Sequence, residues 1–281
     1  MESTFDLAGL RVPRLVYGTA WKEERTADLV TKALAAGFRG IDTANQRKHY
    51  FEAGVGEALA ASGIPRSELF LQSKFTYARG QDHRLPYDAS ASYARQVEQS
   101  FESSLDHLGV TYLDSLVLHG PESGAGWSDG DREVWRAMEV LHRAGKARLL
   151  GVSNIHLDQL ETLCSVAAYR PAIVQNRCHA RTGWDREVRA FCRERGIAYQ
   201  GFSLLTANRA ELSDARVVAL AKRLGSTVPQ LIFRFAMELG MMPLTGTSNE
   251  KHMEEDLASH ALWIEPSDVT LLEGLGGNES R

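Results

Sequence analysis

The chain has 281 residues, of which 43% are hydrophobic and 24% charged, and its formal net charge is -4 at pH 7. This length suits one α/β domain, predicted here to span residues 1–281. No apolar run approaches the roughly 18 residues of a membrane span, and no basic stretch suggests nucleic-acid binding. We therefore expect a small-molecule partner, no nucleic acid, no membrane, and a monomer or weak homo-oligomer.

The first residues and the cysteines bear on the compartment. Residues 1–6 are acidic and polar, where a secretory signal would show a basic flank and an apolar run. Cys164, Cys178 and Cys192 form an odd set without C-x-x-C spacing, which predicts neither a disulfide framework nor a zinc site. A cytoplasmic protein without a bound metal is expected.

A repeated unit runs along the chain, in which an amphipathic helix ends at a glycine and an apolar run follows. The glycines, in chain order, are Gly37, Gly109, Gly145, Gly196 and Gly240. The apolar runs fit strands of a parallel sheet buried on both faces. They lie at residues 14–18, 38–42, 69–73, 113–118, 147–152, 172–177, 197–202 and 241–245.

Eight such units predict a single-domain (β/α)8 barrel, the TIM barrel of the α/β class. The alternative is an open doubly wound sheet, which usually carries a glycine-rich phosphate turn after its first strand. Residues 17–21, Tyr-Gly-Thr-Ala-Trp, do not form such a turn. The closed barrel is therefore favoured.

Polar residues follow or close several of the predicted strands, where barrels place their chemistry. Singly, each has an ordinary explanation as a helix cap or a solvated charge. Together they indicate a functional site. They are Asp42, Lys74, His119, Ser153, Asn154, Gln175 and Ser203.

Ordered motifs connect these positions. They lie at residues 37–44 (GFRGIDTA), 54–59 (GVGEAL), 71–74 (LQSK), 113–119 (LDSLVLH), 151–154 (GVSN), 174–175 (VQ), 245–248 (TGTS) and 254–256 (EED). This set resembles the aldo-keto reductase family over nearly the whole chain. The resemblance implies an NAD(P)H-dependent oxidoreductase that reduces an aldehyde or ketone to an alcohol, or catalyses the reverse oxidation, by hydride transfer.

The resemblance also implies four catalytic residues: Tyr50 as general acid, Lys74 and Asp42 as the pair that tunes it, and His119 as the group that orients the carbonyl. An unperturbed phenol, with a pKa near 10, is a poor acid at neutral pH. A neighbouring ammonium should lower that pKa. Asp42 would hold Lys74 by a charge-assisted hydrogen bond, and His119 would donate to the carbonyl oxygen.

The tyrosine departs from the family spacing. The usual position, five residues after the aspartate, holds Arg47, and Tyr50 comes three residues later. Counted back from Gly54, however, Tyr50 falls within one residue of the family's tyrosine. We interpret this as a longer loop that still delivers the phenol.

Two alternatives remain open. Tyr50 could be a packed surface aromatic, in which case the chain is a cofactor-binding regulatory or scaffold barrel without turnover; Arg177, where many relatives carry an acid, also favours this. An isomerase or lyase on the same barrel is weaker, because Ser153, Asn154 and Gln175 would then have no role.

For the cofactor, the resemblance assigns Ser153, Asn154 and Gln175 to the nicotinamide carboxamide. Phe202 takes the place of the stacking aromatic, with Tyr199 as the alternative ring. The other cofactor positions at this end are Gly18, Thr19, Asp42, Ser203 and Leu205.

The adenosine end is predicted at Gly246, Thr247, Lys251, His252 and Asp256. In the family, a Lys-Ser pair and an arginine four residues before an asparagine commonly bind the 2′-phosphate of NADP. With Asp256 aligned to that asparagine, Gly246 and Thr247 replace the pair and His252 replaces the arginine, so both fixed cations are missing. Recognition would depend on Thr247, backbone amides, Lys251 and His252. NADP(H) is therefore preferred only modestly, and NAD(H) is possible.

Substrate contacts are the least defined. Trp21 after the first strand and Trp127 after His119 are predicted walls of an open pocket, with simple packing as the alternative for each.

Overall fold

Ten strands form in the computed structural model, which describes residues 2–276. The ends of the predicted domain, residue 1 and residues 277–281, lie outside the described residues. The strands are β1 (Thr4–Leu7), β2 (Leu10–Pro13), β3 (Val16–Gly18), β4 (Gly40–Asp42), β5 (Phe70–Phe75), β6 (Leu113–Leu118), β7 (Ala147–Ser153), β8 (Ile173–Arg177), β9 (Ala198–Phe202) and β10 (Met241–Thr245).

Strands β3 to β10 close into a barrel, in which each strand pairs in parallel with the next along the chain and β10 pairs with β3. All eight predicted runs overlap these strands, so the predicted (β/α)8 barrel is confirmed. The apolar strands form a closed sheet because both of its faces are covered, one by the barrel interior and one by helices.

Within residues 2–276, eleven α-helices surround or follow the barrel strands. They are α1 (Thr26–Ala36), α2 (Glu52–Ser62), α3 (Tyr93–Leu108), α4 (Asp129–Arg143), α5 (Leu157–Val166), α6 (Arg186–Glu194), α7 (Arg209–Leu212), α8 (Ala215–Arg223), α9 (Val228–Glu238), α10 (Glu250–Ala258) and α11 (Pro266–Glu273). The five glycines predicted to stop helices all have positive φ, from 66° at Gly109 to 116° at Gly37. They end helices because only glycine adopts this conformation without strain.

The hairpin β1–β2 was not predicted. Its strands pair antiparallel through a turn at Ala8 and Gly9, both with positive φ. Leu7 and Val12 pack with residues near the amino-terminal ends of barrel strands, such as Phe70 and Ile173. The hairpin therefore covers the end of the barrel opposite the polar strand ends.

The interior of the barrel changes character along its axis. Its amino-terminal end is apolar, whereas polar residues occupy the level where Asp42 pairs with Gln72 and Gln175 pairs with Gln200. Gln72 and Gln200 are fully buried at this level. The barrel thus positions a buried polar layer directly beneath its carboxyl-terminal mouth.

Close packing of α2 on α3 gives a stability prediction. A Cβ atom at Gly56 would lie 2.0 Å from the backbone oxygen of His107, so Gly56→Ala should force the helices apart. We expect a loss of about 2–3 kcal/mol of unfolding free energy and a Tm lower by roughly 5–10 °C. Thermal melts beside Gly124→Ala, where a Cβ meets nothing within 4 Å, check this; equal melts for both variants would contradict it.

Candidate active site

A buried ion pair lies at the centre of the site. The Nζ atom of Lys74 is 2.7 Å from each carboxylate oxygen of Asp42 and 2.8 Å from the carbonyl oxygen of Thr43. The two charged residues are 1% and 2% exposed. Burial lowers the pKa of Lys74, and the Asp42 carboxylate opposes that effect. The ammonium thus depends on Asp42 to stay charged.

Tyr50 and His119 lie beside this pair. The Tyr50 ring centroid is 5.0 Å from Lys74 Nζ and 5.8 Å from the centroid of the His119 ring, which meets it edge-on. The structure therefore brings together all four residues that the sequence predicted as catalytic. Arg47, at the usual family spacing, instead pairs with Glu24 at 3.1 Å.

The tyrosine loop is fixed from several sides rather than by its spacing from Asp42. The backbone N–H of Tyr50 donates to the carbonyl of Gln46, whose side chain donates to the carbonyl of Gly80. The N–H of Trp21 donates to the carbonyl of His49. These anchors hold Tyr50 at the mouth despite the longer loop.

Burial sets the protonation of both rings. It raises the pKa of Tyr50 above its ordinary value, and the Asp42 charge adds to this. The net shift of this pKa is therefore upward, whereas a neighbouring ammonium was expected to lower it. Burial, followed by the Lys74 charge, lowers the pKa of His119 to about 3. At neutral pH the phenol is therefore protonated and the imidazole neutral.

Gln72 and Gln200, which were not predicted, complete the buried polar layer beneath the Lys74–Asp42 pair. The amide groups of Gln72 and Gln175 donate to Asp42 Oδ1 at 2.7 and 3.0 Å, and each donates to Gln200 Oε1 at 2.8 Å. A signal existed, because Gln72 and Gln200 interrupt apolar strands that are otherwise typical of barrel walls. The buried Asp42 carboxylate thus accepts hydrogen bonds from three side chains, Lys74, Gln72 and Gln175, which offsets the cost of its burial.

The predicted carboxamide site has complementary atoms. Asn154 Nδ2 donates to the carbonyl of His119 at 2.8 Å and to Ser153 Oγ at 3.1 Å. Gln175 donates to carboxylate and amide oxygens, so its own Oε1 is an acceptor without a hydrogen-bond donor among residues 2–276. Together with Asn154 Oδ1 and the Ser153 hydroxyl, this gives two acceptors and one donor. A carboxamide offers two N–H donors and one acceptor, so the donor set fits.

The remaining residues of the nicotinamide end differ in accessibility. Phe202 is half-buried, and the guanidinium of Arg177 lies 5.5 Å from its ring centroid. Thr19 is fully buried, and its N–H and hydroxyl both donate to the carbonyl of Asp42. Gly18, Ser203 and Leu205 are partly exposed at the mouth.

At the predicted phosphate end, the structure places a cation, Lys22, that the sequence analysis did not identify. Lys22 donates to the carbonyl of Gly246, and Tyr17 donates to that of Thr247 at 2.8 Å. Lys251 is 80% exposed and lies 3.6 Å from Glu255. His252 is exposed after the Asn249 helix cap.

Asp256 lies beneath this loop rather than on its surface. Its carboxylate accepts from the Thr245 hydroxyl at 2.6 Å, and the residue is 2% exposed. Burial raises its pKa to about 6. This predicted cofactor residue is therefore bonded within the fold, beneath the loop.

The two predicted tryptophan walls have different surroundings. Trp21 is 69% exposed and stacks on His49 at 3.9 Å between ring centroids. Trp127 is buried and packs edge-on against Trp135 at 6.4 Å. Its predicted place in a substrate wall is therefore not found, because the chain after His119 folds the ring into the core.

Two cavities flank the tyrosine and the histidine, and Gln46 lines both. One, of about 380 Å³, is lined by His119, Asn154, His49 and Arg79. The other, of about 340 Å³, lies beside Tyr50 and extends to His107. There is therefore room for small molecules next to the Tyr50 and His119 rings.

The fold and its polar mouth define the class of (β/α)8-barrel proteins with their chemistry at the carboxyl ends of the strands. A sequence profile described as the Aldo/keto reductase family matches residues 14–276. The chain therefore belongs to the aldo/keto reductase family, and it is an oxidoreductase.

Individual relatives are consistent with this family assignment. An aldo-keto reductase of Mycobacterium avium is 31% identical over 98% of this chain and 87% of its own length. A glyoxal reductase of Bacillus subtilis is 30% identical over 89% and 83%. The crystal structure of an aldo/keto reductase from Brucella melitensis superposes with a TM-score of 0.83 at 27% identity, covering 96% of this chain and 98% of that one.

The raised pKa of Asp256 predicts a pH-dependent stability. The folded state keeps a proton that the unfolded chain releases near pH 4, so stability falls as pH rises from about 4 to 6 and stays lower above that. Asp256→Asn should remove this penalty and raise unfolding free energy at pH 8 by on the order of 2 kcal/mol, with no gain at pH 4.

Denaturant unfolding at both pH values measures this effect. Asp129→Asn, whose side chain is fully exposed, is the control and should show no such pH-dependent gain. An equal gain for Asp256→Asn at both pH values would contradict the explanation by burial.

Proposed function

We propose that this protein reduces an aldehyde or ketone to an alcohol with hydride from NAD(P)H, and that Tyr50 is the general acid. The observation that carries the proposal is the buried Lys74–Asp42 pair beside the Tyr50 and His119 rings. A buried charge pair at a barrel mouth is costly for stability, and it suits a site where a phenolate must be stabilised.

The proton comes from the protein. As hydride adds to the carbonyl carbon, the oxygen gains negative charge and takes the proton of the Tyr50 hydroxyl. The resulting phenolate is stabilised by the Lys74 ammonium, whose charge Asp42 sustains. The raised pKa of Tyr50 keeps the phenol protonated until that moment.

His119 orients the carbonyl as a neutral donor. Thr76 Oγ1 lies 2.7 Å from Nδ1 of His119. If the hydroxyl donates to Nδ1, the ring proton sits on Nε2, where it can donate to the carbonyl oxygen. A neutral imidazole does not compete with Tyr50 for proton transfer, which assigns the two rings different roles.

The nicotinamide cofactor supplies the hydride when bound. Ser153, Asn154 and Gln175 would hold its carboxamide, and Phe202 would contact the ring. At the other end, Gly246, Thr247, Lys251 and His252 would lie near the adenosine phosphate, with Lys22 close to Gly246. NADP(H) is the expected partner, with NAD(H) possible; a cytoplasmic location and a monomer or weak homo-oligomer stay predictions.

Reduced-nicotinamide absorbance during incubation with simple aldehydes tests the proposal, with NADPH and NADH in separate assays. Aldehyde-dependent loss of absorbance is expected. The name of the Bacillus subtilis relative, glyoxal reductase, supports a carbonyl substrate. Cofactor binding without turnover of any aldehyde would favour a regulatory or scaffold barrel.

Tyr50→Phe should remove turnover and leave cofactor binding nearly intact, because the hydroxyl acts on the reacting oxygen alone. The expected loss in kcat is about two to four orders of magnitude. Steady-state rates and cofactor titrations measure both quantities. Tyr112→Phe, away from the mouth between two arginine side chains, is a matched control that should keep its activity. Full activity in Tyr50→Phe would show that Tyr50 is not the general acid.

The preference for NADP over NAD in binding affinity should be small. Lys251 and His252 are exposed at the predicted phosphate end, whereas Lys22 already donates to the carbonyl of Gly246. NADP should therefore bind roughly tenfold to a hundredfold more tightly than NAD, and the difference should fall with added salt. Fluorescence titrations at two salt concentrations measure it, and Lys251→Met should narrow it while the exposed Lys222→Met does not. A preference above ten-thousandfold that ignores salt would show that a fixed cation elsewhere holds the phosphate.

A further inference from the structure

The cavity beside His119 has an unusual charge balance. Within the part of the chain that the structure describes, Arg79 is its one side chain with a fixed charge, and no aspartate or glutamate lines it. The histidines there are His49, His119 and His156. Burial lowers the pKa of both His49 and His119. The fixed positive charge of this cavity is therefore the Arg79 guanidinium.

Arg79 is held in place by its neighbours. It lies in the short turn Ala78–Gly80 after β5. The turn is fixed because Gln46 donates to the carbonyl of Gly80 at 2.7 Å, and because Gly80 packs against Thr76, which contacts His119. Thr76 and Gly80 both line the cavity, so the turn that carries Arg79 is anchored to the cavity wall.

The guanidinium contacts the chain segment that follows His119. Its Nη2 donates to the carbonyl of Pro121, two residues after His119, and Arg79, Pro121 and His119 line the same cavity. Among residues 2–276 this is the one hydrogen bond of the Arg79 side chain. Several of the five N–H donors of the fork stay available for a ligand.

The Glu122 carboxylate, whose pKa the Arg79 charge affects, is already engaged with other groups. Glu122 accepts hydrogen bonds from the Tyr93 and Ser128 hydroxyls, the latter at 2.7 Å. Those bonds, and more weakly the Arg79 charge, lower the pKa of Glu122. Glu122 does not line the cavity and forms no ion pair with Arg79, so the guanidinium can accept an anion from the cavity side.

We propose that the substrate is a small oxo acid, in which a carboxylate bound by Arg79 sits a few carbons from the carbonyl that faces His119 and Tyr50. This inference rests on the proposed carbonyl reduction and specifies its substrate class. An arginine fork binds a carboxylate through two parallel charge-assisted hydrogen bonds. Such a contact also fixes the distance from the anion to the reacting carbon, which orients the carbonyl.

The test compares 4-oxobutanoate with its methyl ester, which has the same aldehyde without the charge. The wild-type kcat/KM should favour the acid by about tenfold to a hundredfold, mainly through KM, and added salt should reduce the ratio. Arg79→Met should bring the ratio close to one. Arg79→Lys should keep part of it, because it retains charge but loses the fork. Arg11→Met, on the hairpin at the opposite end of the barrel, should keep the full ratio.

Calorimetric binding of succinate to the same variants gives a readout that needs no turnover. Binding that Arg79→Met abolishes and Arg11→Met preserves would support the carboxylate site even if no aldehyde were reduced, a result that would count against the proposed function alone. Equal kcat/KM for acid and ester in the wild type, the same ratio in Arg79→Met, or no binding of succinate to the wild type would overturn the inference.

Discussion

The ion pair between Lys74 and Asp42 is the interaction on which the rest of the site depends. Placing two charges out of water costs several kcal/mol per ion unless geometry and hydrogen bonds compensate. Here Lys74 Nζ has three oxygen contacts within 2.8 Å, and Asp42 Oδ1 also accepts from Gln72 and Gln175. The barrel interior is polar at this level because the pair must be satisfied, while the opposite end can remain apolar.

The same hydrogen bonds join the Lys74–Asp42 pair to the proposed cofactor site. Gln175 directs its amide N–H groups inward to Asp42 and Gln200, which leaves its carbonyl oxygen for the nicotinamide carboxamide. The orientation is fixed because Asp42 is an acceptor only. One buried layer thus determines both the charge beside Tyr50 and the group that would hold the cofactor, and a change in Gln200 should affect both.

Much of the fold follows from local patterns, since glycine stops and short apolar runs located all eight barrel strands. The hairpin β1–β2 was missed because its strands have four residues each and its turn begins with Ala8, a residue uncommon at positive φ. Gln72 and Gln200 were missed because they are far apart in sequence and form a hydrogen bond only once the barrel closes. Trp127 was misplaced because a tryptophan near a site and one in the core look alike in sequence.

The tyrosine illustrates how tertiary anchors override spacing. Counting from Asp42 selects Arg47, whereas the structure brings Tyr50 to Lys74 and His119. The loop is held through Asn45, which donates to the carbonyl of Ser100, through Gln46 on Gly80, and through the carbonyl of His49. Its end continues directly into α2, whose close contact with α3 at Gly56 leaves little freedom. The longer loop is therefore accommodated between β4 and α2. The position of the Tyr50 phenol depends on α2, which follows it, rather than on its spacing from β4.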